Sequence, residues 1–282
     1  MRRIALTVIF LLCALSCGGT AAKVAYRNFD SFILYELDDL FALSQSQKAA
    51  ASEIAAGAMR WHRSEVLPGY IPLLERARSA IQTGIGEKEY AALSALTAAE
   101  SRRIAEYIAP RAAEFALTLT DAQLDRFIIR CGGFNRKAED RIREKRGDPG
   151  AYRVDQMMKT LEHFYGSFSG AQRTQINAII LSNDDIEHPE LYLRYLQETQ
   201  RGFAASVRTK DRTIVREYLR GWICRDPSFL PLYYRADLER AAAVRARIIA
   251  EVDRTVVRPE NRRAGAAVFQ EYIDAVRDLS IR

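Results

Sequence analysis

The chain has 282 residues, 48% of them hydrophobic and 28% charged, with 42 Lys and Arg against 36 Asp and Glu. Without Arg2 and Arg3 at the extreme N-terminus the balance is 40 against 36. An excess that small does not indicate a nucleic-acid partner, and the composition is that of an ordinary globular protein.

Residues 1–16 have the form of a secretory signal: Arg2-Arg3 precede an apolar run, Ile4 to Leu12, far shorter than the roughly 20 residues that span a bilayer. The run leads into Cys13-Ala14-Leu15-Ser16-Cys17, small residues before a cysteine, which is similar to a bacterial lipobox except that Ala14 holds the usual leucine position. That resemblance implies cleavage before Cys17, lipidation of Cys17 and a tether over 17–23. A plain signal cut near Ala21-Ala22 is the alternative. Gly18, rather than Asp, behind the cysteine implies by the lipoprotein sorting rule the periplasmic face of the outer membrane. An oxidising periplasm permits a disulfide between the remaining Cys131 and Cys224, although Cys131 also continues the apolar stripe of Leu124, Phe127 and Ile128.

The rest of the chain, 24–282, reads as one all-helical domain. Apolar residues recur at three- and four-residue spacing and strand signals are scarce. A first helix is predicted near Val24 to Leu37. A second, capped by Ser44, runs through Ile54, Ala58 and Trp61 to a break at Pro68, with a restart after Pro72. A long helix from Glu87 to Leu117 contains Pro110. Thr120 opens the next, and Gly147-Asp148-Pro149-Gly150 marks a turn where the domain divides if it divides at all. Further helices follow at Ala151 to Tyr165, after Ser169, through Leu196, after Asp211, from Tyr233 and from Pro259. The expected architecture is an extended all-α bundle or helical array of about nine or ten helices with short connections.

Three helix starts share one form: Leu43-Ser44-x-x-Gln47, Leu119-Thr120-x-x-Gln123 and Phe168-Ser169-x-x-Gln172. Each is a capping box behind a hydrophobic staple, which by itself means a well-capped helix. These LTxxQ-type starts also resemble those of the Spy and CpxP periplasmic chaperones, a resemblance that implies binding of unfolded proteins. More of the chain resembles a family of uncharacterised bacterial lipoproteins. That resemblance rests on the lipobox, Tyr26, Asp30, Asp38-Asp39, the three boxes and Trp61-His62-Arg63-x-Glu65-x-Leu67-Pro68-x-Tyr70. It implies location and fold but no activity.

Two groups offer chemistry. His62 and Glu65, three apart on a helix, have the types needed to share a metal, but a zinc site needs at least three protein ligands and His163 and His188 lie far off in sequence. The alternative has Trp61 in the core and His62, Arg63 and Glu65 in polar contacts at the Pro68 bend. Asp38 and Asp39 offer paired carboxylates or a cation site, or are simply helix-boundary groups held by arginine or backbone N–H. No nucleophile elbow, phosphate loop, dinucleotide fingerprint or Cys-x-x-Cys is present, and no cofactor or metal is implied. The expected function is therefore a lipid-anchored, non-enzymatic factor that binds an envelope protein or unfolded clients. A carrier of a small apolar ligand is the second reading, and an enzyme built around His62 and Glu65 the third.

Overall fold

The computed structural model describes residues 26–145, 147–183 and 188–280. The signal segment, Cys17 and the tether lie outside the described residues. Among those described, no strand occurs. Eleven α-helices follow one another: α1 (Phe29–Phe41), α2 (Gln45–Trp61), α3 (Leu67–Thr83), α4 (Glu87–Leu117), α5 (Asp121–Lys145), α6 (Pro149–Tyr165), α7 (Gly170–Leu181), α8 (Pro189–Arg208), α9 (Arg212–Cys224), α10 (Leu232–Thr255) and α11 (Pro259–Ser280). The π-helical turn His62–Val66 joins α2 to α3 without a gap, so the eleven make ten rods. The all-α expectation holds. No helix among the described residues is long and apolar enough to cross a membrane.

The apolar faces close on two main cores. One gathers Val66, Leu67, Ile81, Ile104, Tyr165, Ile248 and Val276 from α3, α4, α6, α10, α11 and the π turn. The other gathers Leu40, Phe41, Ala113, Leu124, Phe127, Phe203 and Val215 from α1, α4, α5, α8 and α9. In it Phe41 stacks on Phe127 at 5.0 Å while Phe203 meets Phe127 edge-on at 5.3 Å, the geometries aromatic rings prefer. A small tyrosine cluster of Tyr195, Tyr234 and Leu230 ties α8 to α10. Each main core draws on helices from both sides of residues 147–150. The closest helix pairings are α3 with α11 and α4 with α9. In the first, Gly265 is required: a β-carbon there would overlap the Phe164 carbonyl and Ile81.

The three boxed helix starts do more than cap. Gln47 accepts from Ser44 N–H with its Oε1 (2.9 Å), and its Nε2 donates to the Thr118 carbonyl (3.0 Å) and to Gln123 Oε1 (3.1 Å). Gln123 accepts from Thr120 N–H (3.0 Å) and donates to Gln47 Oε1 (2.8 Å) and to the Ala42 carbonyl (3.3 Å). Each glutamine thus closes its own helix and grips the opposite turn. The third box meets a fourth start that the sequence disguises. Gln172 donates to the Val256 carbonyl (3.0 Å) and to Asn261 Oδ1 (2.9 Å), while Asn261 accepts from Arg258 N–H (3.2 Å) and donates to the Ser167 carbonyl (3.1 Å). The carbonyls gripped at Ala42, Thr118, Ser167 and Val256 each stand two residues before a capping position, and Asn261 also donates to the Tyr165 carbonyl (3.3 Å). The fold therefore has two matched clasps, each joining two helix–turn–helix corners.

Cys131 and Cys224 are not bonded to each other; both are thiols. Cys131 is buried in the second core, where burial pushes its thiol up to about 12. The Cys224 thiol instead donates back to the Arg220 carbonyl one turn earlier, at 3.1 Å.

Candidate functional site

The expected break at Pro68 is absent, and its place is taken by the π turn. Proline has no N–H, and in an α-helix the Pro68 ring would press on the carbonyl four residues back. Widening the helix relieves that clash: Leu67 N–H reaches five residues back to the His62 carbonyl. Such π insertions are uncommon and concentrate at functional sites. Here the turn carries the most distinctive residues of the sequence.

The turn inverts the expected arrangement. His62, not Trp61, enters the core, with 5% of its surface exposed. Its Nδ1 is 2.8 Å from the Tyr26 hydroxyl, and its ring meets Tyr70 edge-on at 6.0 Å. Burial, helped by the Arg63 charge, lowers its pKa to about 4, so the imidazole is neutral at neutral pH. Burial also raises the Tyr26 and Tyr70 hydroxyls above the ordinary phenol value. Trp61 is half-buried and lies flat on Tyr107 at 3.8 Å and 4°. The Arg111 guanidinium covers the Tyr107 ring at 3.9 Å, and that of Arg103 sits 5.9 Å from Trp61. Arg63 lies 5.9 Å from the Tyr26 ring.

Glu65 does not join His62: it is exposed while the histidine is buried. The two do not share a metal site, and among the described residues no three His, Cys, Asp or Glu side chains converge to hold a metal ion. Three buried atoms around the turn lack a hydrogen-bond partner, namely His62 Nε2, Arg63 Nε and Glu100 Oε2. Glu100 has Arg103 only at 3.8 Å, an ion-pair separation too long for a hydrogen bond. The turn therefore acts as a junction between α4, the α2–α3 rod and the segment that starts at Tyr26. Its histidine is buried, with Tyr26 and Tyr70 against its ring.

Asp38 and Asp39 diverge. Asp38 accepts from Leu43 N–H at 3.0 Å and pairs with Lys48 at 2.8 Å, and these bonds, the Lys48 one foremost, hold its carboxyl below the usual range. Asp39 pairs with Arg130, tying α1 to α5. Both carboxylates are engaged in the way a helix-boundary role requires.

Two polar networks have no signature in sequence. Asp237, buried on α10, holds His188 Nδ1 at 2.6 Å and Arg240 at 2.7 Å, which fixes the start of α8. Asp253 takes the Tyr165 hydroxyl at 2.8 Å and both arms of Arg262 at 2.9 and 3.0 Å, joining α6, α10 and α11. The partners lie 49 and 88 residues apart, so only the fold brings the outer members together. His163 meets the Tyr272 hydroxyl.

These features define an all-helical protein whose marked residues serve junctions and clasps. The chain belongs to a family of unknown function, DUF6279, whose model matches residues 39–214 and so takes in the π turn and all three boxed helix starts. No curated protein and no solved structure matches it.

Proposed function

We propose that the protein is a lipid-anchored factor of the cell envelope, held through Cys17 at the periplasmic face of the outer membrane, that binds other proteins without catalysis in a chaperone-like role. The observation that carries the reading is an apolar surface on α1 and α5. Tyr35 and Ile129 are 68% and 71% exposed, and Phe32 is exposed one turn before Tyr35 on α1. The two helices pack together, and the Asp39–Arg130 pair links them one turn after Tyr35 and one residue after Ile129. Large apolar side chains grouped at the surface mark interaction sites. The boxed helix starts add the resemblance to periplasmic chaperones. The apolar-ligand carrier gains nothing from the grooves between α5 and α8 and between α2 and α4, whose lining side chains are mainly charged or amide.

The test is photo-crosslinking in cells from benzoyl-phenylalanine placed at Tyr35, at Ile129 and, as a control, at Arg143. Adducts from the first two and not the third are expected, and the Cys17→Ala form is expected to leave the membrane fraction. Failure of both apolar positions to capture any protein would overturn the binding reading. Retention of the Cys17→Ala form on the membrane would overturn the anchor.

A further inference from the structure

A groove of about 290 Å³ runs between α5 and α8, close to the lower limit for small-ligand sites. Its floor is unusual for a gap between helices. Asn135 and Gln200, 7% and 3% exposed, exchange two amide hydrogen bonds, Asn135 Nδ2 to Gln200 Oε1 at 2.7 Å and Gln200 Nε2 to Asn135 Oδ1 at 3.3 Å. A primary amide has two N–H donors and two lone pairs. Each of these residues therefore retains a donor and an acceptor beyond the bonds they exchange. Burying amides costs free energy unless such capacity is used.

Two arginines flank this floor, Arg136 from α5 and Arg201 from α8. Gly132, one turn before Arg136, leaves room for its guanidinium to lie back against the helix, 3.7 Å from where a β-carbon would stand. Three other arginines on these helices are matched with carboxylates, Arg130 with Asp39, Arg194 with Glu198 and Arg208 with Asp125, while Arg126 and Arg141 bond to backbone carbonyls. Arg136 and Arg201 have no carboxylate within ion-pair distance among the described residues. The only acid lining the groove, Glu139, takes the Gln197 amide at 3.0 Å. Among the lining side chains two guanidinium groups stand against one carboxylate, and Glu198, one turn before Arg201, adds negative charge nearby, so the groove suits a monoanion better than a dianion.

We infer that the groove between α5 and α8 is a binding site for a monoanionic carboxylate, with Arg136 and Arg201 taking the charge and the Asn135–Gln200 pair bonding to adjoining amide groups. Planar guanidinium groups match carboxylates in paired hydrogen bonds. Ile128 at one side of the groove gives a small apolar side chain a place to rest. The carboxylate has two sources, the C-terminus of a protein chain or a free small acid. The site does not depend on the anchor or on the α1–α5 apolar surface.

The test is calorimetric titration of the full-length lipoprotein in detergent with three probes: acetyl-tri-alanine as the free acid, the same peptide as its C-terminal amide, and propionate. Binding of the free acid with at least tenfold loss for the amide is expected. Arg136→Gln and Arg201→Gln are each expected to weaken the acid at least fivefold. Both residues are exposed, so unchanged circular dichroism and Tm in these variants confirm that the fold is kept. Propionate as tight as the peptide acid would assign the site to small acids, and peptide acid much tighter than propionate would assign it to chain termini. Equal binding of acid and amide, no binding at millimolar concentration, or indifference to both substitutions would overturn the inference.

Discussion

The clasp between the first two helix corners makes the sharpest energetic test. Replacing Gln47 with alanine removes the acceptor of Ser44 N–H and the donor to the Thr118 carbonyl. It also removes both bonds exchanged with Gln123. Losing half a capping box costs about 1 kcal/mol, and each intramolecular hydrogen bond contributes about 1 kcal/mol net. Gln47 is buried, so its former partners are poorly placed to find water. The expected loss is about 2–4 kcal/mol, or roughly 4–16 °C in Tm for a domain of this size. Gln123→Ala, at a more exposed residue, is expected to cost about 1–2 kcal/mol.

The decisive quantity is the coupling between the two. If the glutamines only cap their own helices, their effects add. If they grip one another, the double variant costs less than the sum by about 1–2 kcal/mol, the range found for residues in one hydrogen-bond network. Urea unfolding followed by far-UV circular dichroism on the two single variants and the double variant gives this number. A coupling below about 0.3 kcal/mol, within the additivity of independent sites, would refute the clasp. Gln172→Ala, in the other clasp, is expected to add to either variant without coupling.

Other outcomes follow from the buried polar groups and close contacts. Arg262→Met strips the buried Asp253 carboxylate of its bidentate partner and is expected to cost about 3 kcal/mol by urea unfolding, as breaking a buried pair does. His62 has a folded pKa of about 4 against an unfolded value of about 6.5. The unfolded state therefore binds the extra proton, and stability is full above pH 6.5 and falls as pH drops towards 4. Between pH 7.5 and 4.5 wild type should lose about 2 kcal/mol more than His62→Gln, and equal losses would remove the buried neutral imidazole from the account. Gly265→Ala forces a β-carbon onto the Phe164 carbonyl and should cost at least about 3 kcal/mol; a neutral effect on the thermal midpoint would show that α11 does not approach α6 so closely.

Helix positions were legible because each follows from local rules. Ser44, Thr120, Ser169 and Asp211 announce their caps, and Pro259 opens its helix. Pro68 misled for a physical reason. A proline usually ends a helix, but a wider turn also removes its clash, and nothing local tells the two solutions apart. That one inserted turn decides which of Trp61 and His62 faces the core, so the error carried through to the candidate site. The fourth helix corner was hidden because Arg258-Pro259-Glu260-Asn261 uses asparagine where the other three use glutamine, behind an arginine instead of a hydroxyl. The groove between α5 and α8 was invisible for a different reason: Asn135 and Gln200 are 65 residues apart, and amides on separate helices leave no periodic trace. The second groove, of about 250 Å³, is lined by Glu53, Ile54, Gly57, Arg60 and Arg111 and equally had no local signal.

The clasps also explain how one chain maintains two cores. Each clasp closes corners at residues far apart in sequence, 47 with 123 and 172 with 261. Each clasp forms only when its two corners have been brought together, so it rewards packing of the helices between them. The cores are not independent. The 31-residue α4, about 46 Å long at 1.5 Å per residue, gives Ile104 to the first core and Ala109, Ala113, Phe115 and Ala116 to the second. The α2–α3 rod likewise gives Ala51 to the second and Val66 and Leu67 to the first. Fraying either core strips apolar cover from a helix that the other needs intact. The shared α4 and α2–α3 rod therefore couple the two cores in unfolding.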